Sequence, residues 1–250
     1  MVQTLHPEMT DLTEDEIVPL TLNPVILNGQ YNDLALLVRD KLIIFVEAQS
    51  TWSINILVRL LMYLAATYYE YINDRGLNVY TSKKLEIPEP EFYVIYTGNK
   101  PLDREIISLR KDFWNNPNAK IDLTARVIHT ENKNDVIGQY IIFCHVLDEQ
   151  IKIHGYKKKA AEETIRICQN TEVLKKYLEG RKKEVIGIMT ILFDQEYATN
   201  MYVKEIVIQN IVEVCQSLGT SINDTIRIVA EKFSLREDVA SRHVHEFWRS

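Results

Sequence analysis

The sequence predicts an α/β core followed by an all-helical C-terminal extension. Short apolar runs rich in Leu, Ile and Val flank the charged tripeptide Arg39-Asp40-Lys41, which is typical of a buried β-hairpin with a three-residue loop. Apolar residues then recur at helical spacing over 54–73, and two further strands are predicted at 92–96 and 123–129. The order strand, strand, helix, strand, strand is that of an α/β protein.

The second half of the chain has a helical pattern, which begins near residue 134. Helices are predicted at 135–153, 160–169, 171–192, 201–218, 221–233 and 235–248. We therefore divide the chain into an α/β region at 1–132 and a helical region at 133–250. Ahead of the hairpin, segment 17–27 contains two prolines and is expected to be either an edge strand or an irregular strand, because Pro cannot donate to a sheet ladder.

The composition is that of an ordinary folded protein. The 250 residues are 46% hydrophobic and 26% charged, so the chain can bury a full core. We expect no membrane span and no signal peptide, because long apolar runs are missing. Three widely spaced cysteines favour a cytoplasmic, reducing setting. The net charge of −6 argues against non-specific coating of nucleic acid but allows a local basic groove.

The hairpin brings two carboxylates together. If Val38 faces Leu42, then Asp33 lies directly opposite Glu47, and Gln49 points to the same face as Glu47. Two carboxylates this close must share a proton or hold a cation, and an all-oxygen site suits Mg²⁺ or Mn²⁺. The alternative is that Asp33 begins one strand and Glu47 ends the other, both in water.

The helix after the hairpin carries a polar stripe of Asn55, Arg59 and Tyr63. Its first turns are expected near the carboxylates, because the helix follows Gln49 closely. Arg59 is then a candidate to hold a phosphate with its forked guanidinium. The alternative is that Arg59 pairs with a nearby carboxylate and that Tyr63 only packs.

The segments YNDLALLV and VEAQSTWS, together with the helix that carries Arg59 and Tyr63, resemble the PD-(D/E)xK nuclease pattern. More narrowly, they resemble the recombination-promoting nuclease and transposase-like (Rpn-type) family of bacteria, which has Gln in place of the usual Lys. Segments 92–98 and 137–140 and the helical tail are also similar. The resemblance implies a core of a mixed sheet flanked by helices, and metal-dependent hydrolysis of DNA phosphodiester bonds in recombination or transposition.

The resemblance also implies roles for single residues. Asp33, Glu47 and the main-chain carbonyl of Ala48 would bind Mg²⁺ or Mn²⁺, and DNA would be the partner. Gln49 would orient the attacking water or bind a phosphate oxygen, and Arg59 would offset charge in the transition state.

One departure from the family pattern concerns the N-terminus. Family members begin with a helix that packs on the core, and this chain has too few residues ahead of 12–27 to supply it. The alternative function is therefore an inactive, truncated transposase-like remnant that acts as a binding or assembly module. A toxin or defence factor would share the nuclease chemistry. The helical region, whose final helix pair has mixed charges, is a candidate surface for a homodimer.

Overall fold

The computed structural model describes residues 1–20, 34–233 and 235–248, apart from the side chains of 194–201. The strands are β1 (Ile17–Leu20), β2 (Leu34–Val38), β3 (Leu42–Gln49), β4 (Glu89–Tyr96), β5 (Ile106–Ser108) and β6 (Thr124–Ile128). The helices are α1 (Val2–Leu5), α2 (Ile56–Asp74), α3 (Val136–His154), α4 (Lys158–Asn170), α5 (Lys175–Ser217), α6 (Ile222–Phe233) and α7 (Glu237–Phe247). The predicted α/β class with a helical C-terminal part is confirmed.

The described strands form one mixed sheet in the order β1-β2-β3-β4-β6-β5. The central strands β3, β4 and β6 run parallel, whereas β1, β2 and β5 pair antiparallel with their neighbours. A parallel pair needs a crossover connection, and α2 lies in the connection between β3 and β4. This order puts the C-terminal ends of the three parallel strands at one edge of the sheet.

The hairpin between β2 and β3 has the predicted register. Val38 pairs with Leu42, and the pairing continues without a shift to Leu34 and Val46. The turn closes with the Lys41 amide donating to the Val38 carbonyl oxygen at 3.0 Å, and Arg39 adopts a positive φ of 49°. Asp33 lies outside the described residues, as does 21–27 of the predicted edge segment. The described part of that segment, β1, does form the edge.

Alternating side chains of the sheet supply two apolar layers. Ile43, Phe45 and Val94 face α2 and pack in the first cluster. Ile44 and Val46 point to the other face, where they pack with the first turns of α3. Strands covered on both faces read as continuous apolar runs, which is why the hairpin sequence lacks a polar–apolar alternation.

The N-terminal segment is tied to the sheet. The single turn α1 buries Val2 and Leu5 in the second cluster, although no core-packing helix was expected there. Arg39, in the hairpin turn, pairs with Glu16 at 2.9 Å, just ahead of β1. That hydrogen-bonded pair lowers the pKa of Glu16 to about 2. His6 lies 2.8 Å from a carboxylate oxygen of Glu91 at the start of β4.

The helical region differs from the prediction in one respect. Two helices were expected at 171–192 and 201–218, and the prediction of a break between them is wrong. The chain instead forms the long helix α5, with non-helical dihedral angles only at Arg181. The polar stretch 194–200 contains no Gly or Pro that would end a helix. The start is delayed to Lys175, because Glu172 and Leu174 adopt positive φ angles of 63° and 48°.

The chain divides into two compact units. One contains 1–149 and 164–180, and the other contains 150–163 and 181–250. The predicted division at 132/133 stays a prediction. All three cysteines are free thiols. Within the described ranges, no helix is both long and apolar enough to cross a bilayer.

Gly98 lies just after β4, where the chain passes close to the end of β3. A Cβ atom at this position would collide with the Ser50 carbonyl oxygen and the Tyr96 ring. We expect Gly98→Ala to lower the free energy of unfolding by about 1–3 kcal/mol, because backbone or ring must shift. Urea unfolding monitored by fluorescence measures the change.

The matched control is Gly187→Ala in α5, where no described atom lies within 4 Å of the added Cβ. It should be neutral or stabilise by up to about 1 kcal/mol, because alanine favours the helix. Equal losses for the two variants would contradict the close approach at Gly98.

Candidate functional site

The candidate site is built around Glu47, close to the C-terminal end of β3. Its side chain is 1% exposed and points to the α2 face of the sheet. The neighbouring position on β4 is Val94, which is fully buried. Removing a carboxylate from water costs several kcal/mol unless a counter-charge and hydrogen bonds replace the lost hydration.

Arg59 supplies that counter-charge. Its Nη2 atom pairs with Oε1 of Glu47. Arg59 lies in the first turn of α2, and its backbone amide donates to the carbonyl oxygen of Asn55, the N-cap residue. The loop between β3 and α2 is short, so the first helical turn is held over the end of the strand. The sequence left open whether Arg59 pairs with a carboxylate, and in this structure it does.

The pair is incomplete in hydrogen-bonding terms. Oε2 of Glu47 and Nε of Arg59 are both buried, and neither has a hydrogen-bond partner among the residues that the structure describes. Buried polar atoms are nearly always satisfied in folded proteins. The Oε2 atom of Glu47 can therefore accept a hydrogen bond or bind an ion, and the Nε–H group of Arg59 can donate to a water molecule or a substrate group.

Gln49 shares the face of Glu47, two residues further along β3. It is 6% exposed, and its side-chain oxygen accepts a long hydrogen bond of 3.4 Å from the Ser53 amide. Its backbone oxygen accepts from the Thr97 amide at 2.8 Å, which joins the ends of β3 and β4. Ala48 alternates to the opposite face and is half-buried. The structure thus places Glu47, Gln49 and Arg59 together on the α2 side.

Two further residues, Tyr63 and Asp33, were predicted to belong to the site. Tyr63 lies one turn after Arg59 and packs against the first apolar cluster, which is the alternative that the sequence allowed. Asp33, the predicted partner of Glu47, lies outside the described residues. Within the described ranges, no group of three or more His, Cys, Asp or Glu is arranged to hold a metal ion. The pairing of Asp33 with Glu47 therefore stays a prediction.

Aromatic packing steadies the loop beside the site, a feature that the sequence analysis missed. Trp52 packs edge-on against Tyr96 at the end of β4, with ring centroids 5.9 Å apart. Gly98 allows the loop after β4 to approach Ser50. The signal available in the sequence was the glycine that directly follows a strand.

A cavity of about 260 Å³ lies elsewhere at the same edge of the sheet, around the end of β6. It is lined by charged residues of both signs, including Arg126, His129, Glu105 and Asp135. The Asp135 carboxylate also accepts from the Gly138 amide at 2.8 Å and caps the start of α3. Glu47, Gln49 and Arg59 do not line this cavity, and sequence patterns did not indicate it.

No family model, curated protein or solved structure matches this chain. The resemblance to Rpn-type nucleases therefore rests on sequence patterns alone, which are those of the hairpin and α2, of segments 92–98 and 137–140, and of the helical tail.

Loss of Arg59 should destabilise the protein. We expect Arg59→Gln to lower the free energy of unfolding by about 3 kcal/mol, near the lower end of the range for breaking a buried pair, because Arg59 is partly exposed. Urea unfolding measures the loss.

The matched control is Arg75→Gln at the other end of α2. Arg75 pairs with Asp40, and both side chains are exposed, so the loss should stay below about 1 kcal/mol. The double variant Glu47→Gln with Arg59→Gln should lose less than the sum of the single variants. Additive losses would show that the two side chains do not depend on each other.

Proposed function

We propose that this protein is a DNA endonuclease of the PD-(D/E)xK type that depends on Mg²⁺ or Mn²⁺, similar to Rpn-type nucleases of recombination and transposition. The observation that carries the proposal is the buried carboxylate of Glu47, held at the end of a central strand by an arginine from the next helix. Ionisable groups that are buried beside a specific charge partner are concentrated at functional sites.

The topology around Glu47 supports the proposal. A β-hairpin supplies β2 and β3, a helix follows directly, and a parallel strand β4 comes next. In open sheets of this kind, ligands bind beyond the carboxyl ends of the parallel strands. Glu47 and Gln49 lie close to that end of β3, with Arg59 beside them.

The donor atoms at Glu47 suit a hard divalent cation. Oε2 lacks a hydrogen-bond partner in the described part of the chain. Carboxylate and carbonyl oxygens are the ligands that Mg²⁺ and Mn²⁺ prefer. In the proposal, Asp33, Glu47 and the carbonyl oxygen of Ala48 hold the ion. A bound ion would supply Lewis-acid chemistry there, since it would polarise the scissile phosphate and lower the pKa of a water molecule.

The other two residues act through hydrogen bonds and charge. Gln49 is neutral, so its amide can orient the attacking water or donate to a phosphate oxygen but cannot offset charge. Arg59 carries a planar guanidinium with five N–H donors. Since 30% of its side chain is exposed, donors not used by Glu47 can bind the phosphate and stabilise the charge that develops there.

Cleavage of supercoiled plasmid tests the proposal directly. With Mg²⁺ or Mn²⁺ the protein should convert supercoiled plasmid to open circles, and EDTA should abolish the reaction. Glu47→Gln and Asp33→Asn should each reduce the rate by about 100-fold or more, because each removes an ion ligand. Agarose gels over a time course measure the rates.

The control is Glu86→Gln, which makes the same chemical change at an exposed position between α2 and β4. It should cleave at the parent rate. If Glu47→Gln cleaves as fast as Glu86→Gln, the proposed assignment of Glu47 fails.

The alternative function is an inactive remnant that serves as a binding or assembly module. The observation that favours it is the ion pair itself, because Arg59 already neutralises Glu47 without a metal ion. In such a module the pair would be a structural link between β3 and α2.

Metal binding separates the two functions without any activity assay. If the site is intact, Ca²⁺ or Mn²⁺ at about 100 times its Kd should add about 2.7 kcal/mol of stability. This corresponds to a rise in Tm of about 5–10 °C for a chain of this size. Differential scanning fluorimetry measures it, and Glu47→Gln should remove the rise. If the parent protein shows no rise in Tm with the metal ion and does not cleave plasmid, the result would support the inactive module.

A further inference from the structure

Helix α5 presents an exposed apolar face in the unit that contains 181–250. Seven large apolar side chains on it are between 39% and 65% exposed. They are Ile188, Ile191 and Leu192 in its first part, and Tyr202, Val203, Ile206 and Val214 in its second part. We call these seven residues the α5 stripe.

The α5 stripe lies on one side of the helix. At 3.6 residues per turn, its seven positions fall within an arc of about 140°. Phe193, Ile208, Val212 and Cys215 are buried and fall on the opposite side, whereas the buried Met189 lies beside the border of the stripe. Ile208 and Val212 pack there against α6 and α7, and the Phe193 ring lies 5.8 Å from that of Tyr156. Helix α5 therefore has two apolar sides, and its own unit covers one.

The size of the α5 stripe matches what a dimer interface needs. Its exposed fractions leave about 500 Å² of apolar side chain in water per chain, as large as the largest patch on a typical monomer. Two chains that pair through it would bury at most on the order of 1,000 Å², which is the lower limit for a specific interface. Polar residues beside the stripe would add to that area.

We propose that the α5 stripe is the surface through which two copies of this chain form a homodimer. The interface is isologous, so the same side chains contribute from both chains. The proposal does not depend on the nuclease chemistry.

Sedimentation velocity on the full chain tests the dimer. The protein concentration should range from about 1 to 100 µM, so that it covers the dissociation constants expected for an interface of this size. The parent should sediment with twice the 29.2 kDa mass of one chain. Ile191→Glu combined with Val203→Glu should weaken the dimer by at least about 100-fold, because two charges would be buried. Both positions are exposed, so the circular dichroism spectrum should stay that of the folded parent.

The matched control is Ile121→Glu, which makes the same change at a position 61% exposed but outside α5. It should remain dimeric. A parent that is monomeric at 100 µM would overturn the proposal, and so would a folded double variant that still dimerises like the control.

Discussion

The candidate site depends on one electrostatic constraint, which is a carboxylate placed inside an apolar layer. Glu47 has almost no contact with water, and the guanidinium of Arg59 is its counter-charge. An unpaired charge there would cost several kcal/mol, so α2 must begin close enough to β3 for Arg59 to reach Glu47. The short loop between the two elements meets this requirement. The packing of Trp52 on Tyr96 and the close approach at Gly98 hold the loops on either side.

The ion pair between Glu47 and Arg59 is compatible with two roles. As a structural link it holds a helix on a strand, and its two unmatched buried atoms are then a cost. In the proposed nuclease, Oε2 of Glu47 would bind the ion, and the Nε–H group of Arg59 would donate to a phosphate oxygen, because the guanidinium donors form a fork. Gln49 lies on the same face of β3 as Glu47.

The apolar side chains are covered differently in the two halves of the chain. In the sheet, both faces of the central strands are covered, by α2 on one side and by α1 and α3 on the other. In the helical region, α6 and α7 cover only one side of α5. An amphipathic helix needs one partner, whereas a helix that is apolar on two sides needs two. The α5 stripe is the surface that lacks its second partner within the unit that the structure describes.

The sequence by itself determined the local elements. The register of the β2–β3 hairpin, the helix after it and the strands β4 and β6 follow from alternation, helical spacing and turn length, which are properties of neighbouring residues. Strand β5 was not predicted, because a strand of three residues between loops is too short to show a recognisable alternation. A break in α5 was predicted wrongly, in a polar stretch that contains no helix-breaking residue. Only the tertiary structure decided that Arg59 pairs with Glu47, that Tyr63 packs, and which side of α5 stays exposed. Those outcomes depend on distances between residues far apart in the chain, and no local pattern encodes them.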